Sequence, residues 1–412
     1  MHAIDLITLG DELLLGIRQN THLLWLGDQL ARYGQMLRRN LVIPDDPVVI
    51  QRDFAASWRT ADVVITTGGL GPTSDDLTRE VVAAVLGLEL EFDPSIEATI
   101  KTRFAQLGRE VTENNLKQCY KPKGAEVLPN PNGTAPGLYL EHAGKILIML
   151  PGPAGELQPI WRDAVIPRLR KADVLAERTP YLQLRTCGIG ESLLETKLQP
   201  IFARQPKLHV AYCAHQGLVD VRLHVSDDTL KLEDLQAIGE TCRAQLGADF
   251  VGYGAPSISS VVIDRLKALD QTLAVAESCT GGLLADRLTE VPGASEVFAG
   301  GVVCYTNRIK MALLDVPSAL LEQHGAVSAA TAEALAEGVV KHFHTDYALS
   351  VTGLAGPTGG DAATPVGTVY IGLRSATGVC SRKLFYPFER FIVKSRAVNA
   401  SLDALRRELA GI

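Results

Sequence analysis

The 412-residue sequence contains no Cys-x-x-Cys pair and no tight cluster of cysteine with histidine. Its seven cysteines, an odd number, are scattered from Cys119 to Cys380. Neither a disulfide scaffold nor a structural zinc site fits that spread, and a reducing compartment is expected. Long apolar runs are also missing, and none approaches the ~18 residues of a membrane span. The opening MHAIDLITLGDELLLG lacks a basic leader and carries Asp11-Glu12, so it reads as a strand entering a turn, not a signal peptide. There is no excess of positive charge, since the formal net charge is −7. That balance argues against nucleic acid as a partner. A soluble cytoplasmic chain with neither a membrane nor a nucleic-acid partner is expected.

Apolar residues make up 46% and charged residues 21%, an ordinary globular balance. A single core rarely grows past ~250–300 residues, so several domains are expected. The first 170 residues alternate apolar strand-like runs with helix-like segments. HAIDLITLG, MLRRNLVIP, ADVVITTGGLGP and KILIMLPGPAGE are the strand candidates. That alternation predicts a parallel sheet covered on both faces. Residues 171–252 read as β-α-β-β-α, a small α+β module, with FVGYGAPSISS as a turn-rich boundary. Residues 253–412 start a second α/β domain with the same strand–glycine turn–helix device. The fold class is therefore α/β with three domains, 1–170, 171–252 and 253–412.

The first motif with chemical content is Thr66-Thr67-Gly68-Gly69-Leu70-Gly71-Pro72-Thr73-Ser74-Asp75-Asp76. Glycines let backbone approach an anion, and amides at a helix start favour negative charge. Gly68, Gly69, Gly71 and Thr73 are candidates for holding phosphate. Asp75 and Asp76 could cap the helix or hold a divalent metal, with Asp11 and Glu156 as further carboxylates. Asn20, Asn132 and Thr134 are candidate polar contacts. Arg79 and Lys145 are read as surface charges. No REx₂EE cluster occurs, which excludes Nudix-type hydrolysis.

The middle segment contains Gly188-Ile189-Gly190-Glu191-Ser192. A module gripping RNA would carry a GxxG loop with basic flanks, and this loop has neither. A spacer or dimer contact is expected instead.

The third region contains Glu277-Ser278-Cys279-Thr280-Gly281-Gly282 between a strand and a helix, with Tyr305 and Lys310 following in VVCYTNRIK. A serine at such a turn is either a helix N-cap or a nucleophile. A lysine serves as its base only when burial brings its pKa toward neutrality. Cys279 is the rival nucleophile, though no histidine stands near it in sequence. A long glycine loop lies at 353–360.

These motifs together resemble those of the CinA (competence/damage-inducible) family. TTGGLGPTSDD resembles the molybdopterin-binding fold of MoaB and MoeA proteins. GDELLLG with Asn20, NGTAPG at 132–137 and Leu150-Pro151-Gly152 sharpen the likeness, although Pro151-Gly152-Pro153-Ala154-Gly155-Glu156 departs from the family's usual continuation. The middle module resembles the family's KH-like module. ESCTGG, VCYTNRIK, GAVS at 325–328, TGLAGPTGG at 352–360 and PVGTV at 365–369 are similar to the family's C-terminal domain. The resemblance implies two activities. The first is deamidation of nicotinamide mononucleotide (NMN) by Ser278 as nucleophile, Lys310 as base and Tyr305 as orienting group, with no cofactor. Thr280, Gly281, Gly282, Gly353, Ala355, Gly356, Gly359, Gly360, Arg390 and Arg396 would bind that substrate. The second is a metal-dependent ADP-ribose pyrophosphatase in the N-terminal domain. A homodimer is also implied. Thr364 stands where the family commonly has a lysine. The alternatives are a competence or DNA-damage adaptor that binds proteins, and a molybdopterin-binding enzyme.

Overall fold

The structure, a computed structural model, describes residues 2–175, 181–225 and 230–411. The described residues fall into two compact units, one made of residues 2–175 and one of residues 181–225 and 230–411. Residues 179 and 180, the expected start of the middle module's first strand, lie outside the described residues.

The first unit begins β1 (Ile4–Leu9), α1 (Asp11–Leu14), α2 (His22–Ala31), β2 (Leu37–Ile43), α3 (Pro47–Thr60), β3 (Val63–Thr67) and α4 (Thr78–Leu86). A two-stranded ribbon, β4 (Leu90–Phe92) with β5 (Tyr120–Pro122), brackets α5 (Pro94–Gln106). Then come β6 (Glu126–Leu128), β7 (Gly137–His142), β8 (Lys145–Leu150), α6 (Ala154–Ile160) and α7 (Ile166–Lys171). The sheet order is β2-β1-β3-β8-β7-β6. The expected parallel core is β2-β1-β3-β8, and β7 and β6 extend it antiparallel.

Alternation along each strand feeds two cores, as a sheet covered on both faces requires. Ile4, Leu6, Val63 and Ile65 pack with Leu26 and Trp161 on one face. Ile7, Leu9 and Val64 pack with Phe54 and Val82 on the other. Asp5 is buried in this sheet and is neutralised by Arg38, whose Nε and Nη2 donate at 2.9 and 2.8 Å.

Two expected surface charges are not on the surface. Arg79 is 1% exposed, on the inward face of α4. Burial pulls its pKa down, against the neighbouring Glu80 carboxylate that raises it. Lys145 is half-buried, and its ammonium donates to the Trp58, Arg59 and Ala61 carbonyls at the end of α3. It closes a helix C-terminus, where a cation complements the dipole.

The second unit holds the middle module and the C-terminal region together. β9 (Tyr181–Cys187), α8 (Glu191–Phe202), β10 (Leu208–His215), β11 (Leu218–Val225), α9 (Leu232–Leu246) and β12 (Phe250–Tyr253) form an antiparallel sheet of order β10-β11-β9-β12. The β12 strand corrects the reading of 250–253 as a turn. Val251 is buried and its neighbours pair with β9, so the apolar alternation outweighs Gly252 and Gly254.

There follow α10 (Ile258–Leu269), β13 (Leu273–Glu277), α11 (Leu283–Thr289), β14 (Phe298–Val303), α12 (Asn307–Leu314), α13 (Ser318–His324), α14 (Ala329–Phe343), β15 (Tyr347–Gly353), β16 (Thr368–Ser375), β17 (Gly378–Phe385) and α15 (Arg390–Leu409). Here β14-β13-β15 are parallel, and β16 and β17 run antiparallel. No helix among the described residues is long and apolar enough to cross a membrane.

Candidate active sites

In the first unit the chain moves from β1 to β2 on one side and to β3 on the other. The crevice between β1 and β3 is therefore a topological switch point, where open α/β sheets bind ligands at the carboxyl ends of strands. A cavity of about 480 Å³ lies there, lined by the turns that follow β1, β2, β3 and β8. Gly10, Asp45, Gly68–Gly71 and Gly152 supply those turns. Gly69 has φ +66°, and a Cβ there would collide with the Thr78 hydroxyl, so only glycine fits.

The sequence candidates divide here. Gly68, Gly69, Gly71, Asn20, Thr134, Asp75, Asp76 and Glu156 line the cavity. Asn20 uses its Oδ1 on the amides of His22 and Leu23 at the start of α2, and its buried Nδ2 has no partner among the described residues. Asp76 Oδ2 accepts the amide and hydroxyl of Thr73, which closes the 73–76 turn. Thr73 itself is spent on that turn and is not among the lining residues. Asn132 is likewise structural: its Nδ2 donates to Gly155 O at 2.7 Å. Glu156 accepts from Asn130 Nδ2 at 2.7 Å and so ties the 130–135 loop down.

Two residues were not singled out from the sequence. Asp45, just beyond β2, exchanges backbone-to-carboxylate bonds with Asp11, each at 3.2 Å. Burial first, then the charges of Asp11, Glu12 and Asp75, push its pKa up to about 6. His22 lies against Thr67 Oγ1 at 3.0 Å, and burial lowers its pKa, so the ring is neutral near pH 7. No three metal-type side chains converge among the described residues. Asp45 lines the cavity and Asp11 stands beside it without lining it; each has a second carboxylate oxygen not used in their exchange, a hard donor of the kind a divalent cation takes.

In the second unit the ESCTGG segment turns from β13 into α11. The Ser278 amide continues the sheet by donating to Val351 O at 2.8 Å. Its side chain lies 3.0 Å from Lys310 Nζ, which also donates to Cys304 O at 2.6 Å. Lys310 sits in the first turns of α12 and is 1% exposed, while Ser278 is 8% exposed. Burial pulls the ammonium below the ordinary lysine range. A Ser/Lys dyad needs that shift, because only the neutral amine accepts a proton. Cys279 points the other way energetically: burial pushes its thiol up to about 12, so it is not a thiolate at neutral pH.

Tyr305 is 57% exposed, and its hydroxyl accepts from Arg390 Nη2 at 3.1 Å. Arg390 Nη1 donates to Gly356 O at 2.7 Å, so this arginine joins Tyr305 to the 353–360 loop. Gly356, with φ +82°, and Ala355 are buried in that loop, while Gly359 and Gly360 are exposed on it. Gly353 is structural, since a Cβ there would press on Thr368 O and Val369. Gly281 and Gly282 have φ +63° and +99°, which other residues reach only with strain. Thr280 is 0% exposed, and its buried hydroxyl has no hydrogen-bond partner among the described residues.

Arg396 is not at this site. Its guanidinium stacks on Phe388 and Tyr386, at 4.4 and 5.8 Å, and lines a different cavity beside Gly188–Glu191. Lys394 instead lies over the turn that follows Ser278: its Nζ would be 3.8 Å from a Cβ on Gly281. Helical spacing from Arg390 carries the signal, because i and i+4 share a face.

Comparison with known proteins matches three family models in succession. These are a probable molybdopterin binding domain over residues 5–171, the damage-inducible protein CinA KH domain over 183–252 and the CinA C-terminal domain over 255–409. A CinA-like protein of Akkermansia muciniphila is 40% identical over 98% of both chains. A CinA-like protein of Dictyoglomus thermophilum is 38% identical over 99% of both. A crystal structure of a competence-damaged protein (CinA) superfamily member from Klebsiella pneumoniae is 30% identical, covers 38% of this chain and 97% of its own, and has a TM-score of 0.37.

Proposed function

The chain belongs to the CinA family, and on that premise we propose that its C-terminal region hydrolyses the carboxamide of NMN to the acid and ammonia. The observation that carries this reading is the 3.0 Å contact between Ser278 Oγ and the buried Lys310 Nζ. Ser278 Oγ attacks the carboxamide carbon and its proton passes to neutral Lys310. The carbonyl oxygen becomes an oxyanion, stabilised by loop amides after Ser278. Collapse breaks the C–N bond, and Lys310 returns the proton to the departing ammonia. Water then attacks the acyl-serine, giving a proton to Lys310, which passes it back to Ser278 as the acid leaves. Arg390 and Lys394 supply positive charge for the nucleotide phosphate. An adaptor protein would have no use for a buried lysine aimed at a serine. The test is ammonia release on incubating the purified chain with NMN; no ammonia would end the reading.

The cavity at the carboxyl ends of β1, β2, β3 and β8 favours a second activity, cleavage of the ADP-ribose pyrophosphate. Amides of the Gly68–Gly71 turn would face phosphate. Asp11 and Asp45 would hold a divalent cation, which neutralises charge on the pyrophosphate when bound. Asp45→Asn should cut the rate on the order of 10- to 100-fold at pH 7.5, because it removes a charged oxygen donor. Steady-state assays of ADP-ribose with magnesium, manganese or cobalt check this; no cleavage with any of them removes this activity.

A further inference from the structure

Glu277 immediately precedes the proposed nucleophile, yet nothing in the chemistry above uses it. It is 1% exposed, and among the described residues no lysine or arginine pairs with it. Its carboxylate is satisfied by backbone instead. Oε2 accepts the amides of Gly282 and Leu284, each at 3.0 Å, and Oε1 accepts that of Ala285 at 2.8 Å. These are the donors that open α11, so the helix start is already filled by an anion from the protein itself.

The main chain of Glu277 makes the complementary connection. Its carbonyl accepts the Cys304 amide at 2.8 Å, and Cys304 O in turn receives Lys310 Nζ. One residue thus fixes both halves of the dyad: its side chain holds the turn that carries Ser278, and its backbone holds the segment that anchors Lys310. With Gly282, Leu284 and Ala285 committed, the amides of Cys279, Thr280 and Gly281 are left without a protein acceptor among the described residues, and of these three residues Gly281 is the exposed one.

We infer that Glu277 is the positioning residue of the C-terminal site: its carboxylate occupies the start of α11, keeps substrate phosphate out of that position and leaves the exposed Gly281 amide as the oxyanion donor. The phosphate is thereby directed to Arg390 and Lys394. The inference rests on the NMN deamidase reading.

The experiment compares full-length wild type, Glu277→Ala and Glu277→Gln for NMN turnover and thermal unfolding, each with and without added formate. In Glu277→Ala, kcat should fall on the order of 10²-fold, the loss typical of a disturbed oxyanion site, with KM changed less than about threefold. Formate, which fits the vacated space, should restore at least about tenfold of that loss and raise the melting temperature of Glu277→Ala but not of wild type. Glu277→Gln fills the space with a donor facing the amides, so it should lose turnover and gain nothing from formate. Wild-type kcat in either folded variant would overturn the inference. So would a Glu277→Ala protein that formate neither reactivates nor stabilises. If Glu277→Ala does not fold, the kcat of Glu277→Gln decides. A wild type inert on NMN defeats the functional reading, and the formate-dependent melting shift still judges the role of Glu277.

Discussion

Replacing Ser278 with alanine is expected to lower NMN turnover at least ~10³-fold, whereas Cys279→Ala should stay within a few-fold of wild type. The two neighbours differ because the fold gives them opposite environments. Ser278 Oγ meets Lys310 at 3.0 Å, while the Cys279 thiol is buried with its pKa at about 12. At neutral pH only on the order of one Cys279 in 10⁵ is ionised, too few to compete as a nucleophile. Ammonia release by the two purified variants checks this. Full turnover by Ser278→Ala would refute the assignment.

Replacing Lys310 carries the second large effect. Lys310→Met should lower turnover ~10³-fold or more, and Lys310→Arg should not rescue it, since a guanidinium is never deprotonated in this range. The pH dependence has a definite sign. Neutral Lys310 is the base, so wild-type kcat/KM should rise with pH through the lowered lysine pKa and then level off. Stability is linked to the same shift. Between the lowered pKa and the ordinary lysine value the unfolded chain holds a proton that the folded chain lacks. Unfolding there takes up a proton, so stability increases as pH rises through that window and the increase stops above it. Buried thiols and tyrosines such as Cys279 and Tyr139, whose pKa burial raises, pull stability the other way at alkaline pH in both proteins, so the difference in denaturant midpoint between wild type and Lys310→Met should change in favour of wild type as pH rises through that window. A difference that does not change with pH would mean that Lys310 is charged in the fold.

The strand–glycine turn–helix units were legible because they are local: an apolar run, then residues that tolerate positive φ, then a helical period. The contact between Ser278 and Lys310 spans 32 residues and no spacing rule yields it; the family resemblance supplied the pair, and the parallel register of β13 with β14 brings it together. The family resemblance pointed to Arg396, and Lys394 was not singled out. Helical phase decides otherwise, since four residues turn the helix by about 40° net and six by about 240°. Arg79 was read as exposed because charged side chains usually are, but it lies on the apolar face of α4 beside Val82 and Ala83. Asp45 was missed for a different reason. Its meeting with Asp11 depends on β1 and β2 lying side by side, which the sequence order alone does not reveal.

The central claim is that the Ser278–Lys310 dyad hydrolyses a nucleotide carboxamide. The most direct measurement is ammonia released from NMN, quantified against the acid formed, for wild type and Ser278→Ala side by side. Wild type should give one ammonia per acid, undiminished by a chelator of divalent cations, and Ser278→Ala should give essentially none. Equal ammonia from both proteins, or none from wild type, would contradict the account.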